Sequence, residues 1–391
     1  MTPLVQAEQA VLGALFLDPG QLGPLSDWLR PEHFDRPAHA ALYAAMLKLR
    51  AEGHPATTAD VDGPVPLAWV TDTVQEASRH TLGLTSVYPH LLISACPRPD
   101  HAPLYGRMVL EGAIHRSVAQ HADRLHQAAL ADLHSGTLDE TVHHAQVLSD
   151  VLADLARVWG TEPRTAQPPD AYAPLGVPPE PVADQVLADE ELLLGCLAAR
   201  SEQLLDLVRW LRPDDFADPG HQQIYRALGA LHHRGEPIDQ LTVLWETQRR
   251  GALADGSLNA EQVRRICDPL AGGGAAEHYG EQVVTTSLVR TAATAARHVR
   301  ELAGQEALAP GQLIGYALHA LRPLDDVRRR QRIASGAEPG LPRSSPHAAP
   351  RSAQTEAARS RSRPHHPGAQ PPASLMSPAP PAARPSYRSP S

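Results

Sequence analysis

The sequence repeats itself, and this constrains the fold more than any other feature, because the module has to be buildable twice along one chain. WLRPEHFDRPAHAALYAAMLKLRAEGHPAT at 28–57 aligns with WLRPDDFADPGHQQIYRALGALHHRGEPID at 210–239 at a constant offset of 182, with 12 of 30 positions identical. The identities are Trp28/Trp210, Leu29/Leu211, Arg30/Arg212, Pro31/Pro213, Phe34/Phe216, Pro37/Pro219, His39/His221, Tyr43/Tyr225, Ala45/Ala227, Leu49/Leu231, Gly53/Gly235 and Pro55/Pro237. The same offset carries Glu8, Leu12, Gly13 and Leu15 onto Glu190, Leu194, Gly195 and Leu197. Farther on it falls to 174, matching Tyr105-Gly106 to Tyr279-Gly280 and Arg116 to Arg290, so copy one holds eight more residues between its blocks. Chance matches do not keep register through Trp, Phe, Tyr, Pro and Gly together. This is an internal duplication.

Each copy reads as helical. Aromatic residues make up only 4% of the chain, so Leu, Val and Ala must build its cores. Leu110, Ile114, Val118, Ala122, Leu125 and Ala129 fall at steps of three and four, and copy two repeats the stripe at Val284, Leu288, Ala292, Ala296, Val299 and Ala303. That period describes an amphipathic helix with one buried face. Shorter helices are expected around Ala7–Leu17 and Asp189–Ala199, with Gly13 and Gly195 inside them as points of close helix packing. Pro31 and Pro213 suit the first turn of a short helix. A core helix follows Pro37 and Pro219 and ends near Gly53 and Gly235, which stand where C′ glycines belong. In copy one a last helix is expected behind a T-x-x-E capping box at Thr137 and Glu140. In copy two it is expected to run from Pro310 to Pro323. No β pattern stands out, so the expectation is an all-α chain.

Charge and proline mark the boundaries. Residues 333–391 hold 13 Pro, 11 Ser, seven Arg and two acids, a net charge of +5, which leaves −14 of the chain's −9 on residues 1–332. A segment so poor in large apolar side chains cannot offset its ordering entropy by burial, which predicts a disordered basic tail. GTEPRTAQPPDAYAPLGVPPEPV at 160–182 has seven Pro in 23 residues and reads as a semi-rigid extended spacer. The expected domains are copy one at 1–159, the spacer at 160–182, copy two at 183–332 and the tail at 333–391.

Several chemistries are disfavoured. No apolar run approaches membrane-spanning length, and the N-terminus carries no basic residue before Arg30, unlike a secretory signal. Cys96, Cys196 and Cys267 are widely spaced, without a C-x-x-C pair, so neither a disulfide scaffold nor a cysteine zinc site is expected. The reading is a soluble, reduced, cytoplasmic protein. A P-loop needs G-x-x-x-x-G-K-[ST], yet the one lysine, Lys48, has no glycine loop before it. Gly272-Gly273-Gly274 reads as a connector rather than a phosphate loop. The 21 histidines form no H-E-x-x-H and no chelating pair, so no metal and no cofactor are expected. His39 and His221 read as buried histidines with their hydrogen bonds satisfied, in preference to ligands. For Trp28 and Trp210 the alternatives are core packing and an exposed partner anchor. Arg328, Arg329, Arg330 and Arg332, with Arg359, Arg361 and Arg363 in the tail, form the candidate nucleic-acid contact, weak and salt-dependent.

The W-L-R-P-x-x-F-x-x-P-x-H-x-x-x-Y core, the preceding AEQAVLGALFLDP, the following G-x-P and the later Y-G helix together resemble the N-terminal domain of DnaB-type replicative helicases. Copy two follows the family more faithfully between its blocks, with PIDQLTVLWETQRRGAL in the usual helix and turn after the core. Copy one departs at 58–104, where TADVDGPVPLAWV and SACPRPDHAP stand in for the usual leucine-rich helix and glycine turn. The resemblance implies two small helical bundles, each with a long helical hairpin, and the lack of a P-loop leads to the expectation that no motor domain follows them. In that family the domain does no chemistry; it pairs with other copies into a collar over the motors and helps form the surface that receives primase. It implies a non-catalytic replication accessory or adaptor that engages primase, a replicative helicase or itself, as a monomeric pseudo-dimer or a trimer of chains. The repeated residues Trp28, Arg30, Pro31, Phe34, His39 and Tyr43, with Trp210, Arg212, Pro213, Phe216, His221 and Tyr225, are then core or interface positions. The alternatives are a regulatory protein that binds nucleic acid through its Arg-rich C-terminal region, and a self-associating relic.

Overall fold

The computed structural model describes residues 2–58, 67–81, 83–173, 182–268 and 274–337. Copy one comprises α1 (Pro3–Leu17), α2 (Leu22–Ser26), α3 (Pro37–Ala51), α4 (Pro55–Thr58), α5 (Leu67–Ala77), α6 (Tyr88–Ala95), α7 (Ala102–Ser135) and α8 (Asp139–Trp159). Copy two comprises α9 (Asp184–Ala199), α10 (Leu204–Leu207), α11 (Pro219–Arg234), α12 (Gln240–Arg249), α13 (Ala260–Ile266), α14 (Ala276–Ala303) and α15 (Pro310–Ala334). Among the described residues there is no strand. The expected tail lies, from 338 onward, outside the described residues, as do Gly272 and Gly273.

Local signals account for most helix ends. Pro31 and Pro213 open single 3₁₀ turns, and Pro37 and Pro219 open α3 and α11, where a missing N–H costs nothing. Gly53 and Gly235 follow the last residues of those helices in the left-handed region, at φ +78° and +66°. Within 58–104 the structure still builds a helix. Residues 71–80 of α5 and its C-terminal flank repeat the succession of buried and exposed positions seen at 241–250, with Val74, Glu76 and Arg79 in the places of Leu244, Glu246 and Arg249.

Two readings of helix ends are corrected. Thr137 and Glu140 form no capping box: α8 begins one residue later, after Leu138, which makes no side-chain cap. Thr137 instead donates to Asp132 at 2.7 Å, and Asp132 accepts the Thr141 N–H at 2.8 Å, so the cap of α8 comes from the end of α7. Burial alone would raise the Asp132 carboxyl, but hydrogen bonds from Thr137 and Thr141 outweigh it and hold its pKa below the usual range. The second correction is that α15 does not stop at Pro323 but continues to Ala334. An internal proline costs about 3 kcal/mol; here Leu324, Val327 and Arg330 are buried beyond it and offset the loss.

The apolar residues gather into two cores whose division does not follow the duplication. The first holds α1, α3, α5 and the start of α7. Gly13 is required there: a Cβ would stand 2.2 Å from the Leu92 carbonyl oxygen, so α1 and α6 touch through backbone. The second core holds the globular part of copy two together with both hairpins, α7–α8 and α14–α15. The two stripes read from the sequence meet in it, and all twelve of their residues are buried. Across this seam His115 reaches the carbonyl oxygens of Ala303 and Leu308 with its two ring nitrogens, at 2.9 and 3.0 Å. Arg300 pairs with Asp123 at 2.9 Å. The spacer has no regular structure over 161–169 but lies against α15, where Ala166 N–H donates to the Gly315 carbonyl at 3.1 Å and Tyr172 packs on Tyr316. Residues 174–181 lie outside the described residues.

Candidate interaction site

The duplicated motif folds into the same arrangement twice. Glu8, on α1, is fully buried and accepts three hydrogen bonds from the motif: Asp35 N–H at 2.5 Å, Arg36 N–H at 3.4 Å and His39 Nδ1 at 2.7 Å. Glu190, on α9, does the same for Ala217 N–H at 2.5 Å, Asp218 N–H at 3.3 Å and His221 Nδ1 at 2.7 Å. The carboxylate thus satisfies the free N–H groups where α3 or α11 begins. His39 and His221 are each bonded to a carboxylate from another helix. His39 also bonds the Tyr88 hydroxyl at 2.8 Å, whereas His221 has Glu191 at 3.8 Å on its other side.

The aromatic members of the motif follow the same plan. Phe34 and Phe216 pack on Tyr43 and Tyr225 with ring centroids 5.1 Å apart in both copies. The two tyrosine hydroxyls donate to the carbonyls of Leu29 and Leu211, at 3.2 and 3.3 Å. Burial pushes both phenols above their usual pKa. Trp28 and Trp210 lie over Gly106 and Gly280, where a Cβ would come within 2.9 and 2.7 Å of the indole. Arg116 donates to the His33 carbonyl at 2.7 Å, and Arg290 likewise donates to the Asp215 carbonyl. Most of these polar groups meet partners within the motif, while Arg116 Nη1, Arg290 Nε and His221 Nε2 are buried without a hydrogen-bond partner; the motif is a platform that sets the hairpin on its bundle.

The copies differ at the hairpin base. In copy two, Arg330 from the end of α15 is buried, pairs with Asp215 and Asp326, and donates to the Trp210 carbonyl at 3.0 Å. Asp215 also accepts from Ser287 Oγ at 2.8 Å and from Arg212 N–H at 2.7 Å. Arg330 is therefore removed from the candidate nucleic-acid contact, because it holds α15 down over Trp210. Arg328 reaches Gln146 at 3.4 Å and Arg329 pairs with Asp326 at 2.6 Å, while Arg332 is exposed. Trp210 is buried, whereas Trp28 is half-buried and Arg30 exposed. Arg359, Arg361 and Arg363 lie outside the described residues.

Sequence reading missed the acids. Glu8 and Glu190 share the motif's offset, which was the available signal, but a repeated letter does not say which groups it meets. Glu76 and Glu246 were also missed. Lys48 and Arg79 hold the first, each at 2.6 Å; Arg234 and Arg250 hold the second, at 2.9 and 3.0 Å. Burial would raise Glu246, but the hydrogen bonds and charges of those arginines hold it below the usual carboxylate range. Among the described residues, no group of three or more His, Cys, Asp or Glu is placed to hold a metal ion, and no helix is long and apolar enough to cross a membrane.

Comparison with known proteins agrees with this geometry. The replicative DNA helicase DnaB of Geobacillus stearothermophilus is 36% identical over 124 residues, 32% of this chain and 25% of that protein. The replicative DNA helicase DnaC of Bacillus subtilis is 32% identical over 123 residues, again 32% and 25%. DnaB of Mycobacterium leprae is 42% identical over 69 residues, 18% and 11%. The chain spans about a quarter or less of the length of these relatives. No solved structure matches it. The family model for the DnaB-like helicase N terminal domain matches twice, at residues 2–111 and 182–285, together just over half of the chain. With the same platform built at both places, the chain belongs to the DnaB-like helicase N-terminal domain family and carries that domain in duplicate.

Proposed function

We propose that this protein is a non-catalytic replication adaptor that offers a ready-paired set of collar domains to a primase or a replicative helicase. The observation that carries the reading is the seam between the hairpins: α7 and α14 bury their stripes against each other within one chain. A pairing that otherwise needs two protomers is here covalently fixed, and the tether raises the local concentration of the second copy toward millimolar. The spacer docked on α15 supports the same pairing. Three such chains would present six collar domains, as a closed ring where the rotation between chains closes.

The test is a binding measurement between the purified full-length chain and the replicative helicase and primase of the same cell, each immobilised separately. The reading expects saturable binding to at least one of them and no ATP hydrolysis by the chain alone. Failure to bind either, or ATPase activity that follows the chain through successive columns, overturns it. Binding to DNA alone, at low salt and lost with the region after Ala334, would favour the nucleic-acid alternative.

A further inference from the structure

The two copies anchor the same arginine alike and then part company. Arg116 and Arg290 each spend Nη2 on a backbone carbonyl of the motif, that of His33 and that of Asp215. In copy one the Nε of Arg116 also pairs with Asp35 Oδ1, at 3.4 Å. At the offset of the motif, Asp35 falls on Ala217. The corresponding atom of copy two, Arg290 Nε, is buried and has no hydrogen-bond partner.

A cavity of about 140 Å³ lies at this place, lined by Ala217 and Arg290, by Thr294 and Arg297 farther along α14, and by Leu130 and Leu133 near the end of α7. Among the described residues no acid lines it. Arg297 Nε is a second buried donor without an acceptor. Copy one again has an acid at the matching position, Asp123, which pairs with Arg300. Copy two thus carries Ala217 and Arg297 where copy one carries two aspartates.

The nearest acids are committed elsewhere. Burial lowers the Arg290 guanidinium below its usual pKa, and Glu190 and Asp215 act against that. Yet Glu190 holds Ala217 N–H, Asp218 N–H and His221. Asp215 holds Arg330, Ser287 and Arg212 N–H. Copy one keeps Glu8 in the place of Glu190 and still sets Asp35 against Arg116.

We infer that this cavity binds a small carboxylic acid with a short apolar tail, its carboxylate lying between Arg290 and Arg297 as that of Asp35 lies against Arg116. Buried guanidinium donors call for an anionic acceptor, and the leucines that share the lining call for hydrocarbon. A cavity of about 150 Å³ holds a molecule the size of benzene, which limits the tail to a few carbons. The leucines come from copy one and the arginines from copy two, so a bound acid strengthens the pairing of the copies. The inference does not depend on the adaptor reading.

The probe is butyrate, added to the full-length chain at constant ionic strength against chloride. Binding is read from the NMR signals of arginine Nε–H groups and from the unfolding midpoint. 1-Butanol supplies the hydrocarbon without the charge, and inorganic phosphate the charge without the hydrocarbon. The expected result is a saturable shift of buried Nε–H signals and a raised midpoint with butyrate, at least about tenfold tighter than with either control. Two variants carry the residues of copy one. Ala217→Asp supplies the acid from within, and should raise the midpoint of the free chain while weakening butyrate at least about tenfold. Arg297→Asp should weaken butyrate by a similar factor, and it decides alone where Ala217→Asp does not fold. No saturation below about 100 mM butyrate overturns the inference. Equal binding of 1-butanol overturns it by leaving only an apolar cavity, and tighter binding of phosphate does so by making the site one for inorganic anions. Undiminished butyrate binding by the folded variants overturns it as well.

Discussion

Replacing Glu190 by Ala tests the platform at the point on which most depends. The substitution removes one buried carboxylate and leaves three donors, Ala217 N–H, Asp218 N–H and His221 Nδ1, without their acceptor. The side chain is 1% exposed, so water cannot easily replace it. Each stranded buried donor costs about 1–3 kcal/mol, and because the three share one acceptor and can relax together about 3–5 kcal/mol is the expected total. Glu190→Gln keeps the shape and one acceptor oxygen but turns an NH2 toward donors, and about half that loss is expected. The assay is urea unfolding followed by far-UV circular dichroism, comparing Glu190→Ala, Glu190→Gln and native protein. Glu8→Ala should behave alike, because its three bonds match those of Glu190 to within 0.1 Å. A loss under about 1 kcal/mol for both Ala variants would refute the claim that the carboxylate organises the motif.

Other outcomes follow from single groups. Asp132→Asn should cost about 1 kcal/mol at neutral pH, as the loss of a charged cap does. Because the folded pKa of Asp132 is depressed, its contribution is present above the usual carboxylate value of 3.8 and fades as pH falls below it, so native and variant should converge in acid unfolding curves. Burial lowers the His298 imidazole below its usual 6.5, so the unfolded chain takes up that proton first and stability should fall as pH drops through 6.5. His298→Gln should flatten this part of a urea-midpoint profile between about pH 7.5 and 5.5. Arg330→Ala should destabilise by about 3–5 kcal/mol in urea, whereas Arg329→Ala, at a largely exposed pair, should change stability by under about 1 kcal/mol. Equal effects would contradict the burial of Arg330.

How far the sequence was legible varies by residue. The duplication, the two apolar stripes, Gly53 and Gly235 at helix ends and the prolines at first turns were all readable, because each depends on local geometry or on period alone. Pro323 was misread for a local reason. The rule that stops a helix at proline knows nothing of Leu324 and Arg330, whose burial on copy two carries α15 onward. Thr137 and Glu140 had the spacing of a capping box, yet Asp132 on the preceding helix took the role, a competition across a turn that spacing cannot reveal. Glu8 and Glu190 were visible as repeated letters, but their partners lie 27 to 31 residues away. The exposure of Trp245 was hidden in an apolar run, since a leucine-rich segment does not say which side faces the core.

The central claim is that one chain already contains both halves of a hairpin pair. Multi-angle light scattering of the full-length protein across a range of concentrations tests it most directly. The account predicts the mass of a single 42.0 kDa chain, or three times that mass if the pairs close into a ring. A particle of strictly two chains at every concentration would mean that the hairpins pair between chains, and would contradict it.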